Sequence, residues 1–343
     1  MRKDPTVPTT TVIVITLDRA EYLQRCLTCL HAQSLLPDQI IVVDSSKDVR
    51  ALAVVKAFPN VVYLRNECGM GRMTASRNIG LKHALGDVIA FVDDDAFAHS
   101  QWLANLLEPY ADPSAGAVGG RALNGQPNEA ELGKSEIGRL YPNGTLTGYF
   151  AADPGGPVDV DHIIGCNMSF RRVVLAKLGG FREDFSGFSS LREDSDMSLR
   201  VKRLGYRIIF CPGAVVDHVG APQVKGTRFD VRYTYYVERN HLSMLVRNFG
   251  LTSPIIWRYL LHNSQAANLE LVRRSGGAMV RFVARMSGMV VGVAEGVRLL
   301  ASVGKTTVRT DPLGREITDS LTNTARTSRE VTGQEPHNRQ VTI

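Results

Sequence analysis

The stretch Val88-Ile89-Ala90-Phe91-Val92-Asp93-Asp94-Asp95 sets five apolar residues directly against three carboxylates. The apolar run is short, rich in β-branched and aromatic residues, and preceded by the turn residues Gly86-Asp87, so it reads as a buried strand. Side chains alternate along a strand, which puts Asp93 and Asp95 on one face and Asp94 on the other. Two carboxylates held side by side repel unless a cation or a donor-rich ligand lies between them. A hard divalent cation with oxygen ligands answers that need, and Mg²⁺ keeps coordination positions open for a phosphate. A second acidic group, Glu193-Asp194 with Asp196, opens a later helix, where negative charge suits the helix dipole. His218 follows the strand-like Ala214-Val215-Val216, and an isolated histidine in that place is on its own most simply structural.

The elements that must position these residues alternate. Apolar runs over Thr11–Thr16, Gln39–Val43 and Val61–Leu64 read as strands, like Val88–Val92. Helical spacing fills Glu21–Gln33, Val49–Phe58 and Met73–Leu85 between them. Such β-α-β-α-β-α-β order predicts an α/β fold with a mostly parallel central sheet and helices on both faces. Ligands of such sheets bind beyond the carboxyl ends of the strands. Asp18, Asp44 and Asp93 stand there, and carboxylates pair well with ribose hydroxyls or the ring N–H of a pyrimidine. The first strand-to-helix turn carries no glycine, which disfavours a dinucleotide-binding dehydrogenase. Gly69, Gly71, Arg72 and Arg77 lie before and in the third helix, as natural partners of phosphate. From Tyr110 to Asp161 the chain reads as irregular, dense in Gly, Pro and Asn, and is expected to shape the acceptor side. Order returns with Val158–His162, Cys166–Arg171, a short helix over Val173–Leu178, a helix ending near Leu204, and strands over Tyr206–Phe210 and Ala214–Val216.

The chain has 343 residues, 44% hydrophobic and 22% charged, enough for one large domain and an appendage. The net charge of +6 suits anionic ligands or an anionic membrane surface and is too weak to argue for nucleic acid. Five scattered cysteines, an odd number, argue against a disulfide framework and for a reducing compartment. The Cys26-x-x-Cys29 pair reads as two small apolar residues on a helix. No uncharged stretch is long enough to span a membrane.

Beyond Asn240 the pattern changes. Ser253-Pro254 starts a helix, and a longer one is expected from Ala266 to Val303. On a helical wheel Arg274, Arg281, Arg285 and Glu295 share one stripe with Gly288 and Gly292 between them. Met, Val, Leu and Phe occupy the remaining faces. A wide apolar surface with a narrow basic stripe suits a helix lying in a membrane interface, packed on a second copy, or packed on the rest of the domain. Residues 305–343, rich in Thr, Arg, Asn and Gln, are expected to be disordered. The expected organisation is therefore 9–240, 241–304 and 305–343.

The ordered motifs resemble those of family 2 glycosyltransferases of the GT-A fold. The resemblance runs from about Thr11 to His218. It is carried by Thr16-Leu17-Asp18-Arg19, Val42-Val43-Asp44, Ala75-Ser76-Arg77-Asn78-Ile79-Gly80, Phe91-Val92-Asp93-Asp94-Asp95, Gly165-Cys166-Asn167-Met168-Ser169-Phe170-Arg171, Glu193-Asp194 and His218. One departure is that Leu17-Asp18 stands where the family usually carries Tyr-Asn. The resemblance implies a UDP- or dTDP-linked sugar as donor, bound by Thr16, Asp18, Asp44, Arg77, Asp93 and Asp94. Within that set Asp44 would take the pyrimidine and Asp93 the ribose. It implies Mg²⁺ or Mn²⁺ on Asp95 and His218, Asp194 as general base with Glu193 as the substitute, and Asn167 and Met168 at an acceptor pocket. The implied acceptor is a glycan or a lipid-linked sugar, and the implied place is cytoplasmic, peripheral on the inner face of the cell membrane.

The chemistry agrees with that set. A departing diphosphate needs neutralising, and a metal does this without proton transfer. The acceptor hydroxyl needs a base on the opposite face, which gives inversion. Two rivals are a non-catalytic nucleotide-sugar-binding protein on the same fold, and a haloacid-dehalogenase-like phosphotransferase built on Asp93-x-Asp95.

Overall fold

The computed structural model describes residues 7–67, 73–185, 191–220, 230–272 and 278–303. Strands β1 (Thr10–Thr16), β2 (Gln39–Asp44), β3 (Val61–Arg65) and β4 (Val88–Asp93) alternate with helices α1 (Ala20–His31), α2 (Arg50–Lys56) and α3 (Met73–His83). The four strands pair in parallel in the order β3-β2-β1-β4. Register sets Thr16 beside Asp44 and Ile15 beside Asp93, so β2 and β4 bring their acidic ends to one edge on either side of β1. Alternate residues of β1 feed two cores. Val12 and Val14 pack with Leu23, Leu27 and Trp102 on one face, and Ile13 packs with Phe91, Phe170 and Phe210 on the other.

Past β4 the sheet becomes mixed. It gains β5 (Ala96–Ala98), β6 (Ala115–Leu123), β7 (Val158–Asp159), β8 (Asn167–Arg171) and β9 (Arg207–His218), with α4 (Trp102–Leu107), α5 (Arg172–Leu178) and α6 (Glu193–Arg203) between them. Among the described residues the full order is β3-β2-β1-β4-β8-β6-β9-β5, with β7 on β9. This is an α/β fold of the GT-A kind, with a mixed sheet that is parallel through its first four strands.

Two expectations fail in the second half. The segment read as irregular holds β6, a nine-residue strand in the middle of the sheet. Its glycines hid it, and they are there for close approach. A Cβ on Gly119 would lie 2.4 Å from Ile163 Cγ2, and one on Gly120 would lie 2.0 Å from the Ala214 carbonyl oxygen. Only a residue without Cβ lets β9 and the β8 approach segment come this near. The two strands expected around Pro212-Gly213 are one continuous β9, and β6 absorbs the irregularity through a register shift between Gly120 and Arg121.

Helices α7 (Val231–Phe249), α8 (Pro254–Val272) and α9 (Ala278–Val303) form the C-terminal layer. α7 crosses the expected boundary at residue 240, because Leu242, Leu245 and Val246 share a core with Leu199 of α6 as well as with Ile256, Tyr259 and Met289. The long helix expected from Ala266 is two: α8 continues from Pro254 to Val272, and α9 begins at Ala278. The stripe on α9 is the seam with α7. Gly288, Gly292 and Gly296 lie flat on α7, and Arg285 and Glu295 turn inward to pair with Glu238 and Arg239. Met279, Val280, Val283, Val290 and Val297 point outward and are exposed. Arg274 and the tail 305–343 lie outside the described residues. Cys26, on the inner face of α1, and Cys29 are free thiols.

The glycine argument makes a stability forecast. Gly120→Ala should lower the unfolding free energy by about 1–3 kcal/mol, as overpacked sites do. Gly156→Ala, with no atom within 4 Å of its would-be Cβ, should stay within about 0.5 kcal/mol of the parent. Equal denaturant midpoints for the two variants would contradict the close-approach account of β6.

Candidate active site

His218 reaches the acidic triplet by strand pairing. Antiparallel β5 and β9 set His218 opposite Ala96, and the Val219 N–H donates to the Asp95 carbonyl at 3.1 Å. Ligand atoms of Asp93, Asp95 and His218 all lie within 4.8 Å of one another. His218 Nε2 is 3.6 Å from Asp95 Oδ1. Asp93 ends β4 and the next two residues turn, so Asp93 and Asp95 converge through a turn and not through strand alternation alone. Two carboxylates and one imidazole, with Asp93 and His218 on a cavity wall, form a donor set that suits a divalent cation needing oxygen-rich ligation with room for substrate. Burial disfavours charge on His218, but the Cys166 sulfur, Asp95 and Asp93 outweigh it and raise the imidazole to about 11.

The middle carboxylate has a different task. Asp94 is fully buried, accepts a hydrogen bond from Thr16 Oγ1 at 2.7 Å, and meets Arg19 Nη2 at 2.7 Å. Burial pushes it up to about 7 against the pull of Arg19. Thr16 is itself buried. These two residues, expected to bind the nucleotide, instead tie β1 to the acidic turn. Arg19 also reaches Asp95 at 3.1 Å. Its role was not foreseen, and the only signal was its position just after the first strand.

Asp44 is fully buried, and its carboxylate accepts from Ser46 N–H, Tyr63 Oη and Arg65 Nη1 at 2.7, 2.7 and 2.9 Å. Asp18 holds a left-handed backbone, φ 54°, with its N–H donating to Ser46 Oγ and its carboxylate accepting from Lys47 N–H. The two aspartates share the Ser46 turn. Arg72 and the glycines beside it lie outside the described residues.

Arg77 joins the early and late acidic groups. It is 1% exposed, donates to Glu193 Oε1 at 2.6 Å and to the Gly165 carbonyl at 3.3 Å, and sits 3.5 Å from Asp93. Burial alone would lower its pKa, but Glu193 and Asp93 raise it. Burial and the Asp194 carboxylate push Glu193 up to about 8 against the pull of Arg77. Glu193, Asp194 and Asp196 therefore have three separate roles. Glu193 is committed to Arg77. Asp196 is buried under Arg182, Arg200 and Asn248 as a packing anchor. Asp194 is half-buried on the cavity wall, accepting from the Gly165 and Ser195 N–H groups at 3.0 and 2.6 Å.

The cavity measures 360 Å³ and is lined by Asp93, His218, Arg77 and Asp194, and by a stretch of wall from Leu146, Thr147, Gly148 and Phe150. That wall comes from the segment expected to shape the acceptor side. Asn167 and Met168, expected there, are not. Both are fully buried in β8. Asn167 accepts from Trp102 Nε1 and donates to the carbonyls of Arg121 and Ala214, bracing β8 and β6 against α4 and β9. Met168 packs in the core with Phe91 and Phe210.

A proton on His218 must leave before the ring nitrogen can hold a metal. Mn²⁺ affinity should therefore fall about tenfold for each unit by which pH drops below the raised pKa. Calorimetry in buffers of different ionisation enthalpy should record one proton released per ion, and His218→Asn should remove that release. Binding by the parent without proton release would contradict the assignment.

The chain is 25% identical over 210 residues to the O-antigen chain rhamnosyltransferase RfbN of Salmonella typhimurium, covering 61% of this chain and 65% of that protein. It is 26% identical over 300 residues to the pre-mycofactocin glycosyltransferase of Mycobacterium tuberculosis, covering 84% of this chain and 57% of that one. It thus spans about three fifths of the length of both relatives. The fold is similar to that of mannosyltransferase PcManGT from Pyrobaculum calidifontis, solved with GDP-Man and Mn²⁺, with a TM-score of 0.53, 21% identity, and coverage of 96% of this chain and 88% of that one. Residues 11–179 match the family described as glycosyl transferase family 2, and with the sheet described above the chain is a member of that family.

Proposed function

We propose that this glycosyltransferase moves a sugar from a UDP- or dTDP-linked donor to a hydroxyl of a glycan or lipid-linked acceptor, with inversion at the anomeric carbon. One observation carries the reading: a single cavity is lined by Asp93 and His218 of the Asp93/Asp95/His218 group and by Asp194, together with Arg77, which reaches both Asp93 and Glu193. Asp44 and Asp18, at the neighbouring strand ends, are the groups for base and ribose. Asp44 would accept the ring N–H of the pyrimidine as Arg65 gives way. Asp93, Asp95 and His218 would hold Mn²⁺ or Mg²⁺, and the imidazole nitrogen favours Mn²⁺ over the all-oxygen octahedron of Mg²⁺. When bound, the ion supplies the positive charge that the departing diphosphate needs.

This chain's own residues do the rest. Two backbone N–H groups fix the Asp194 carboxylate, so it meets the acceptor hydroxyl already oriented. Asp194 takes the hydroxyl proton as the oxygen bonds to the anomeric carbon and the bond from that carbon to the diphosphate breaks. Glu193 is spent on Arg77 and serves to position it.

The outward face of α9 supports attachment to an anionic membrane surface on the cytoplasmic side. No described helix is long and apolar enough to cross a membrane. Trp257, Leu261 and the α9 valines are exposed, with Arg258 and Arg298 exposed beside them. Among the described side chains of α8 and α9 the one carboxylate, Glu295, is paired inward with Arg239. An apolar face edged only by cations fits anionic lipid better than a second copy of itself, which would set arginine near arginine.

Asp194→Asn should lower kcat by a factor of about 10²–10⁴ while UDP and Mn²⁺ affinities stay unchanged. Near-normal turnover in that variant, with Glu193→Gln inactive, would transfer the base role to Glu193. For the membrane face, the parent should sediment with phosphatidylglycerol-containing vesicles and far less with phosphatidylcholine alone, and Val283→Glu/Val290→Glu should stay in the supernatant. A parent that binds no vesicle, and forms a dimer which the double variant dissolves, would assign the face to a second copy.

A further inference from the structure

Arg192 has no part in the mechanism above, and its setting is unusual. It precedes α6 with φ 79°, in the left-handed region. That conformation costs a side chain with a Cβ roughly 1–2 kcal/mol relative to the right-handed one. Such strain persists only where its surroundings hold it, and it concentrates at functional sites. Arg192 lines the same cavity as Asp194, two positions before it. Its Nε is buried and has no hydrogen-bond partner, a costly state for a charged donor group.

The nearby carboxylate does not account for it. Glu238 of α7 feels the Arg192 charge, but its oxygens are already engaged by Tyr259 Oη at 2.8 Å, by Asn263, and by Arg285 at 3.4 Å. His162 also feels that charge. It is buried and held in one orientation, with Nε2 donating to the Thr147 carbonyl and Nδ1 accepting from Ser195 Oγ, so it offers no anion. His241 is engaged likewise by the Gly144 carbonyl. Among the described residues, then, no carboxylate is bonded to Arg192, and its cation stands on the cavity wall. Val237 and Leu191 beside it are apolar, which strengthens any charge-assisted bond formed there.

We propose that Arg192 is the anion-binding element of the acceptor subsite: the acceptor carries a phosphate or carboxylate close to the hydroxyl that is glycosylated. This rests on the glycosyltransferase reading above. The anion belongs to the acceptor and not to the donor diphosphate, because the groups that feel the Arg192 charge are Glu238 and His241 of α7, Tyr259 of α8 and His162. The donor end is made by β4, β9 and Arg77. A planar guanidinium binds either anion with two parallel hydrogen bonds.

The test uses the full chain saturated with UDP and Mn²⁺, so that the donor end is filled. Phenyl phosphate, benzoate and benzyl alcohol are titrated by ligand-observed NMR. At least one anionic probe should bind ten-fold or more tightly than the alcohol. Arg192→Met should erase that preference with UDP affinity unchanged, and Arg192→Lys should keep part of it. Arg192→Gly, whose backbone suits the local φ, secures a folded comparison and should also lose the preference. A preference for phosphate points to a glycosyl phosphate or diphosphate acceptor, and one for carboxylate points to an acidic sugar. Equal binding of all three probes, or an anion preference that survives in both Met and Gly variants, would overturn the proposal. An anion preference in a parent that fails to bind UDP would leave this subsite standing and count instead against the donor reading.

Discussion

A single buried guanidinium holds the two halves of the site together. Arg77 comes from α3, early in the chain, and its principal partner Glu193 lies 116 residues later. Asp93, at the end of β4, completes its surroundings. A cation withdrawn from water in this way costs several kcal/mol unless the carboxylates around it stay in place. The constraint works both ways: the carboxylates hold Arg77, and Arg77 fixes how far Asp93 stands from Glu193. Gly165 shows how tight the junction is, since a Cβ there would come within 3.0 Å of Arg77 Nη2 and 3.5 Å of Asp194 Oδ2.

The sheet serves that junction. Parallel β1, β2 and β4 gather acidic ends on one edge, and β5 and β9 return His218 to it from the far side. The close packing of β6 through its glycines, and the bracing of β8 by Asn167, let strands distant in sequence meet within a few ångströms. The helical layer attaches to the same junction, because Arg247 of α7 pairs with Asp184 and Asn248 bonds Asp196 within α6. The outer surface of that layer is apolar where its inner seam is charged. This reversal makes sense if the layer meets lipid on one side and protein on the other.

How far the sequence could be read depended on where the signal lay. β1 to β4 were legible because continuous β-branched runs have few other stable fates, and the convergence of Asp93, Asp95 and His218 was legible through the family motifs. β6 was not, because its glycines serve tertiary approach and erase local strand character. The stripe of Arg285, Gly288, Gly292 and Glu295 was legible on a helical wheel, but its partner α7 was not, because ion pairs and glycines in a seam leave no apolar pattern to pair. Thr16, Asp94, Asn167 and Met168 are motif residues whose side chains turned out to brace the scaffold. A motif records that a residue type is needed, not which side of the strand needs it. Arg19 and Arg192 went unread because a lone arginine has no spacing to mark it.

The central claim is that Arg77 energetically couples the early acidic strand to the late acidic helix. A double-mutant cycle in chemical denaturation, with Arg77→Met, Glu193→Gln and the double variant, tests it most directly. The account predicts about 3–5 kcal/mol lost for Arg77→Met, and a double variant that loses less than the sum of the singles by about 0.5–3 kcal/mol. Strictly additive losses would mean that the two residues meet without depending on each other, and would contradict the account.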